Sequence, residues 1–104
     1  MDTIDLESIE ASEEFQPHKL IQKDEVEVVL LAFQPGQGLP VHETPVDVFF
    51  LVLEGEPTIK VGEDVKVISA GNIILSPADI PHTVRNESDE DAKILVVKTP
   101  QPTG

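Results

Sequence analysis

"GNIILSPADIPHTVRN", residues 71–86, is the stretch whose reading decides the fold. It sets two short aliphatic runs, "NIILS" and "HTVRN", on either side of "SPAD", a turn former by composition. Neither run repeats its apolar residues at helical spacing. β-Branched and aliphatic residues bounded by glycine, proline, asparagine and aspartate mark short strands. Side chains on a strand alternate faces, so Arg85 points away from the face that carries His82. Two spacings stand out. Five residues separate Gly71 from Pro77, and three separate His82 from Asn86.

The same texture extends outward in both directions. "HKLIQ", "VEVVLLAF", "VFFLVL", "PTIKV", "VKVISA" and "KILVVK" read as strands, and "QKDE", "QPGQG", "EGE", "GED", "AGN" and "ESDED" as turns. "VGEDV" at 61–65 has the form of a tight hairpin. The period-two patterning predicts strands over 26–33, 48–54, 57–61, 65–69, 73–76, 82–87 and 93–99. Upstream, "LESIEASEEF" suits a helical turn or two at most, and the final "TPQPTG" lacks apolar anchors and is expected to fray. The chain therefore divides into an acidic N-terminal segment (1–16), one β-domain (17–99) and a tail (100–104). Many short strands at this spacing point to a sandwich or small barrel.

Composition narrows the chemistry. The 104 residues contain no cysteine, tyrosine or tryptophan. Thiolate ligands, disulfides, a cysteine nucleophile, a tyrosine acid and indole stacking are all excluded. Twenty acidic residues against seven basic ones give a net charge of −13. That charge repels nucleic acid phosphates and anionic membrane surfaces, so neither is expected as a partner. Arg85 is the single arginine, so no arginine clamp for a phosphate can be assembled. No apolar run nears the ~20 residues that span a bilayer. The first residues are acidic where a signal peptide is basic and then apolar, so a cytoplasmic location is expected.

A second glycine-punctuated stretch runs from Gly36 through five residues to His42 and ends at Gly55. Together with residues 71–86, these spacings resemble the two motifs of the cupin superfamily over roughly residues 30 to 98. The resemblance implies an all-β fold, a single antiparallel jelly-roll β-barrel of the double-stranded β-helix type. It also implies a metal site, since family members commonly hold a divalent ion with two histidines and a glutamate from the first motif and a histidine from the second. Here His42 and His82 match two of those ligands. Thr44 stands at the second histidine, Val48 at the glutamate, and Asp79 at a glycine of the second motif.

Alternation gives a parallel reading. If His42 faces inward, so do Thr44, Val46, Val48, Phe50 and Val52, while Asp47 faces out. The expected ligand-binding set is His42, Thr44, Val48, Phe50 and His82, with Val84 and Val96 among the lining aliphatics. The metal candidates are His42 and His82. Two imidazoles and a hydroxyl hold a divalent transition metal weakly at best, because catalytic zinc usually takes three protein ligands and non-haem iron two histidines and a carboxylate. A β-bulge near Pro45 would turn Asp47 inward and rebuild a two-histidine, one-carboxylate set. His18 is expected at the surface, Asn86 on backbone groups, and Arg85 beside acidic side chains.

Three functions are compatible with these residues. One is a binding protein that takes a small molecule into a mostly apolar interior through His42 and His82. Another is an enzyme with those histidines as catalytic candidates. It would be a metal-dependent oxygenase, isomerase or decarboxylase, also using Asp47 if inward, or a metal-free lyase or isomerase in which two imidazoles divide acid and base roles. The third is a scaffold acting through its surface. The first is carried forward. "VFFLVLE" at 48–54 also leaves Phe49, Leu51 and Leu53 on an outer face that should meet water, and "VVLLAF" at 28–33 is likewise apolar on both faces. A homodimer through this face is expected.

Overall fold

Eight antiparallel strands carry the chain: β1 (His18–Lys23), β2 (Val26–Phe33), β3 (Asp47–Glu54), β4 (Thr58–Val61), β5 (Asp64–Val67), β6 (Ile73–Ser76), β7 (His82–Arg85) and β8 (Ala92–Thr99). The structure, a computed structural model, describes residues 1–102. The expected strands sit within a few residues of these bounds, and β1 is the strand suggested by "HKLIQ". A single 3-10 turn, Leu6–Ser8, is the only helical element among the described residues, and the Asp5 carboxylate caps it by accepting from the Glu7 N–H.

The strands form two sheets, β1-β2-β8-β3-β6 and β5-β4-β7. This is the jelly-roll arrangement that the patterning and the motif spacing predict. The sheets face each other without closing into one continuous barrel. β5 and β6, each only four residues long, lie at the ends of their sheets and do not pair with one another. β4 and β5 form the hairpin read from "VGEDV", with Gly62 at φ 60°, a left-handed conformation that glycine adopts without a Cβ clash.

Alternation explains the core. Val29, Leu31 and Phe33 of β2, Val48, Phe50 and Val52 of β3, and Ala92, Ile94 and Val96 of β8 face Ile59 and Val84 of the smaller sheet. Phe15 stacks on Phe33 with ring centroids 4.8 Å apart and joins the N-terminal segment to this core. The segment continues past the outer face, where the Leu6 carbonyl accepts from Lys93 Nζ at 3.1 Å. At the other terminus the Gln101 N–H reaches the Asp24 carbonyl at 3.1 Å, so the expected fraying does not begin at residue 100. Thr103 and Gly104 lie outside the described residues. No helix among the described residues is long and apolar enough to cross a membrane.

Candidate functional site

The two glycine-punctuated stretches meet along β7. Gly36 N–H donates to the Asn86 carbonyl, Asn86 N–H to that of Gln37, and Leu39 N–H to that of Val84. His42 and His82 then exchange both backbone bonds, at 3.1 and 2.9 Å. Residues 36–42 thus lengthen the smaller sheet, whereas β3, starting at Asp47, belongs to the larger one. The chain crosses between sheets over residues 43–46, which form no strand. Alternation counted from His42 therefore does not run through to β3. Thr44 and Val48 are both buried, yet neither lines the cavity beside the histidines. The Thr44 carbonyl instead accepts from Asp79 N–H at 2.8 Å.

His82 is buried and His42 is exposed, yet their rings meet edge to face with centroids 4.5 Å apart. Their Nε2 atoms are 3.2 Å apart, His82 Nδ1 is 2.9 Å from Ser76 Oγ, and His42 Nδ1 is 3.0 Å from the Pro40 carbonyl. A carbonyl oxygen only accepts, so His42 carries its proton on Nδ1. The two facing Nε2 atoms share one proton between them, and Ser76 Oγ, which can donate or accept, ends the chain at His82 Nδ1. Phe50 closes the far side of His82, 5.5 Å away and nearly perpendicular. Burial, then the neighbouring His42, then the Lys98 ammonium hold the His82 imidazolium down to a pKa of about 4, against a weaker opposing backbone contact at Ile80. His82 is therefore neutral at physiological pH.

The pair sits in the wall of a cavity of about 460 Å³ between the sheets. Val29, Leu31, Leu39, Phe50, Val84 and Val96 make its apolar walls. Lys19, Glu27 and Lys98 also line it. Those three charged residues are absent from the expected site, although alternation in "VEVVLL" and "ILVVK" places Glu27 and Lys98 on the inward faces of β2 and β8. Lys19 had no such signal, because a bulge between Lys19 and Ile21 shifts the register of β1.

Other expectations resolve as follows. Asp47 is exposed, and its Oδ1 accepts the Ala78 N–H at 2.9 Å. This rules against the inward alternative and against a two-histidine, one-carboxylate set. Among the described residues, no three histidine or carboxylate side chains cluster closely enough to hold a metal. His18 is half-buried on β1 and lies outside the cavity. Asn86 is fully buried and donates to the Phe33 and Glu90 carbonyls while accepting from Ser88. Arg85 does not pair with an acid as expected. Its guanidinium donates to the Gly36 carbonyl at 3.3 Å, because β7 presses it against the 36–38 turn. Asp79, at the position of a family glycine, has φ 66°, so the backbone there keeps the left-handed shape glycine would give it.

Comparison with known proteins accords with this geometry. The cupin domain pattern matches residues 29–98. The chain belongs to the cupin family. A crystal structure of a Thermus thermophilus protein, TT1209, superposes with a TM-score of 0.90 at 34% identity, covering 98% of this cupin and all of that chain. An RmlC-like cupin of Methanocaldococcus jannaschii with a double-stranded β-helix fold superposes at 0.80 over 88% of this chain and 84% of its own, and at 22% identity it shows the fold alone. Among curated relatives, auxin-binding protein 4 of Zea mays is 33% identical over 75% of this chain, and auxin-binding protein 1 of Arabidopsis thaliana 31% over 75%. This cupin spans less than half of those two proteins, 43 and 44% of their length.

Proposed function

We propose that this cupin binds a small organic molecule in the cavity between its sheets, with His42 and His82 as orienting hydrogen-bond groups. The observation that carries the reading is the imidazole pair set into a mostly apolar cavity, the usual make-up of a small-molecule site. At about 460 Å³ the space suits a ligand of one ring or a short chain. The relatives named as auxin-binding support small-molecule binding as the class of activity. Phe50 serves as the floor under His82, while Thr44 and Val48 act indirectly by packing the crossing between sheets.

The family pattern implies a divalent metal, and the donors here do not fit one. Two imidazoles stand alone, Val48 offers no donor at the glutamate position, and Asp47 is engaged with Ala78. The two Nε2 atoms also face one another at 3.2 Å, engaged in a mutual hydrogen bond. We infer weak divalent binding at most, and derive no chemistry through it.

We also propose a homodimer through the outer face of the larger sheet. Leu95, Leu51 and Ile73 stand in one cross-strand row, whose β2 member Leu30 is already buried within the chain, and Val28, Val97, Phe49 and Leu75 in the next. Ile73 and Leu75 are 66 and 60% exposed. Covering such side chains contributes about 1.5–3 kcal/mol each, ample to offset part of the repulsion between acidic subunits. A monomer mass by light scattering, unchanged by Leu51→Glu, would count against it.

The binding reading is tested by screening small organic fragments against methyl- and histidine-labelled protein by NMR. Supporting ligands shift His82, Val84 and Leu31 together and lose affinity in His82→Phe. A screen in which every hit maps outside the cavity would overturn it. Parallel titrations with Mn, Fe, Ni, Cu and Zn should broaden or shift the histidine signals only at high metal concentration.

A further inference from the structure

We infer that the cavity selects a monocarboxylate, holding its anionic head between Lys19 and Lys98 and its apolar body against Phe50, Val84 and Leu31. The inference rests on the binding reading above and adds a charge to it.

The distribution of charge is the first ground. The chain has twenty acidic and seven basic residues, so random placement would line a cavity with carboxylates. This one has two lysines and a single acid. The second ground is register. Lys19, Glu27 and Lys98 stand on three adjacent strands, β1, β2 and β8, and Glu27 and Lys98 are directly opposite one another. Opposite charges so placed ordinarily pair across the ladder. Here they do not. Among the described residues the ion pair within 4.0 Å is Lys93 with Glu54, elsewhere on the molecule. Glu27 is only 6% exposed, and no side-chain hydrogen bond among the described residues engages it or either cavity lysine. The ammonium groups are left with donors to spend on a third group.

Counting charge then sets the valence. Two lysines against the single Glu27 carboxylate leave the cavity lining with one basic side chain in excess, beside a neutral His82. One negative charge on the ligand neutralises that excess. Lys19 is exposed and Lys98 half-buried at the cavity rim, so a neutral ligand leaves both ammonium groups without a partner, and a dianion adds a negative charge beside the buried Glu27. A phosphate monoester is doubly charged near neutrality, and the cavity holds no arginine to receive it. Carboxylate is the chemistry that remains, with the imidazole pair available to a hydroxyl or carbonyl on the same ligand.

Three probes of one shape decide the matter by NMR titration of the full chain: hexanoate, hexanamide, and butylmalonate, which is hexanoate with a second carboxylate on the same carbon. Hexanoate should bind about ten-fold or more tighter than hexanamide, with shifts at Phe50, Val84 and His82, as expected of a charge-assisted contact. Lys98→Met should bring hexanoate down to the amide's affinity and leave the amide unaffected, and Lys19→Met should act in the same direction if Lys98→Met fails to fold. Glu27→Gln should improve butylmalonate more than hexanoate. Amide binding in the cavity equal to or tighter than that of the acid overturns the charge inference while the cavity reading stands. Absence of both from the cavity overturns the two together.

Discussion

His42 and His82 touch through their Nε2 atoms from unlike surroundings. His82 is enclosed on three sides, by Ser76, Phe50 and the His42 ring, and is 2% exposed. His42 hangs at the cavity mouth from one backbone bridge and one bond to the Pro40 carbonyl. The segments that carry them differ likewise. Residues 71–86 bring two strands, β6 and β7, whereas residues 36–46 form no strand of their own and borrow the edge of β7. The contrast separates two duties. The second segment holds its histidine fixed in a packed setting, and the first supplies the accessible group.

The largest test of this contrast is at Phe50, the β3 ring that packs edge to face on His82. Phe50→Ala should destabilise by about 3–5 kcal/mol, the range for deleting a buried aromatic, while Val41→Ala on the exposed first segment should stay within about 0.5 kcal/mol. Urea unfolding measures both, and equal losses would erase the distinction.

Proton linkage sharpens it next. The His82 pKa is about 4 when folded against 6.5 for the free side chain, so between those values the unfolded chain binds the extra proton. His82's neutral form is accommodated without penalty above pH 6.5, and stability is lost progressively as pH falls toward 4. The loss attributable to this residue is about 3 kcal/mol. Other acids titrate in the same window, so the readout is the difference curve between the parent and His82→Gln across pH 4 to 7. Its slope should be positive with pH. A flat His82 difference curve would mean that its burial costs nothing.

Asn86 comes third. It closes the second segment by donating to the carbonyls of Phe33, at the end of β2, and of Glu90, and Asn86→Ala leaves the Phe33 carbonyl facing an emptied buried space. A loss of about 1–3 kcal/mol is expected in thermal or urea unfolding. The smallest effect is a gain. Asp79 holds φ 66°, and Asp79→Gly should stabilise by about 1 kcal/mol by relieving that conformation, with the Asp79 N–H bond to Thr44 retained. Destabilisation there would show that the Asp79 side chain does work beyond occupying a turn.

Much of this molecule is legible one strand at a time. β3 and β8 bury alternate residues as period two requires, whereas β2 buries every residue from Val29 to Phe33, and the turn formers fall where the strands break. The same local rule, applied to "VEVV" and "VVK", already holds Glu27 and Lys98 on inward faces. It also holds the pairing of His42 with His82 as far as motif spacing reaches. Where the rule fails is between strands. Counting alternation from His42 to Val48 assumes one sheet, and the chain changes sheets at residues 43–46. Residue types and their period therefore determined the strands, the core and the two histidines, because side-chain direction within a strand is set by backbone geometry alone. Only the tertiary structure decided which residues share the cavity, the open pairing of the two sheets, and the Ser76 partner of His82. Those depend on where separate strands cross in space, which no local period encodes.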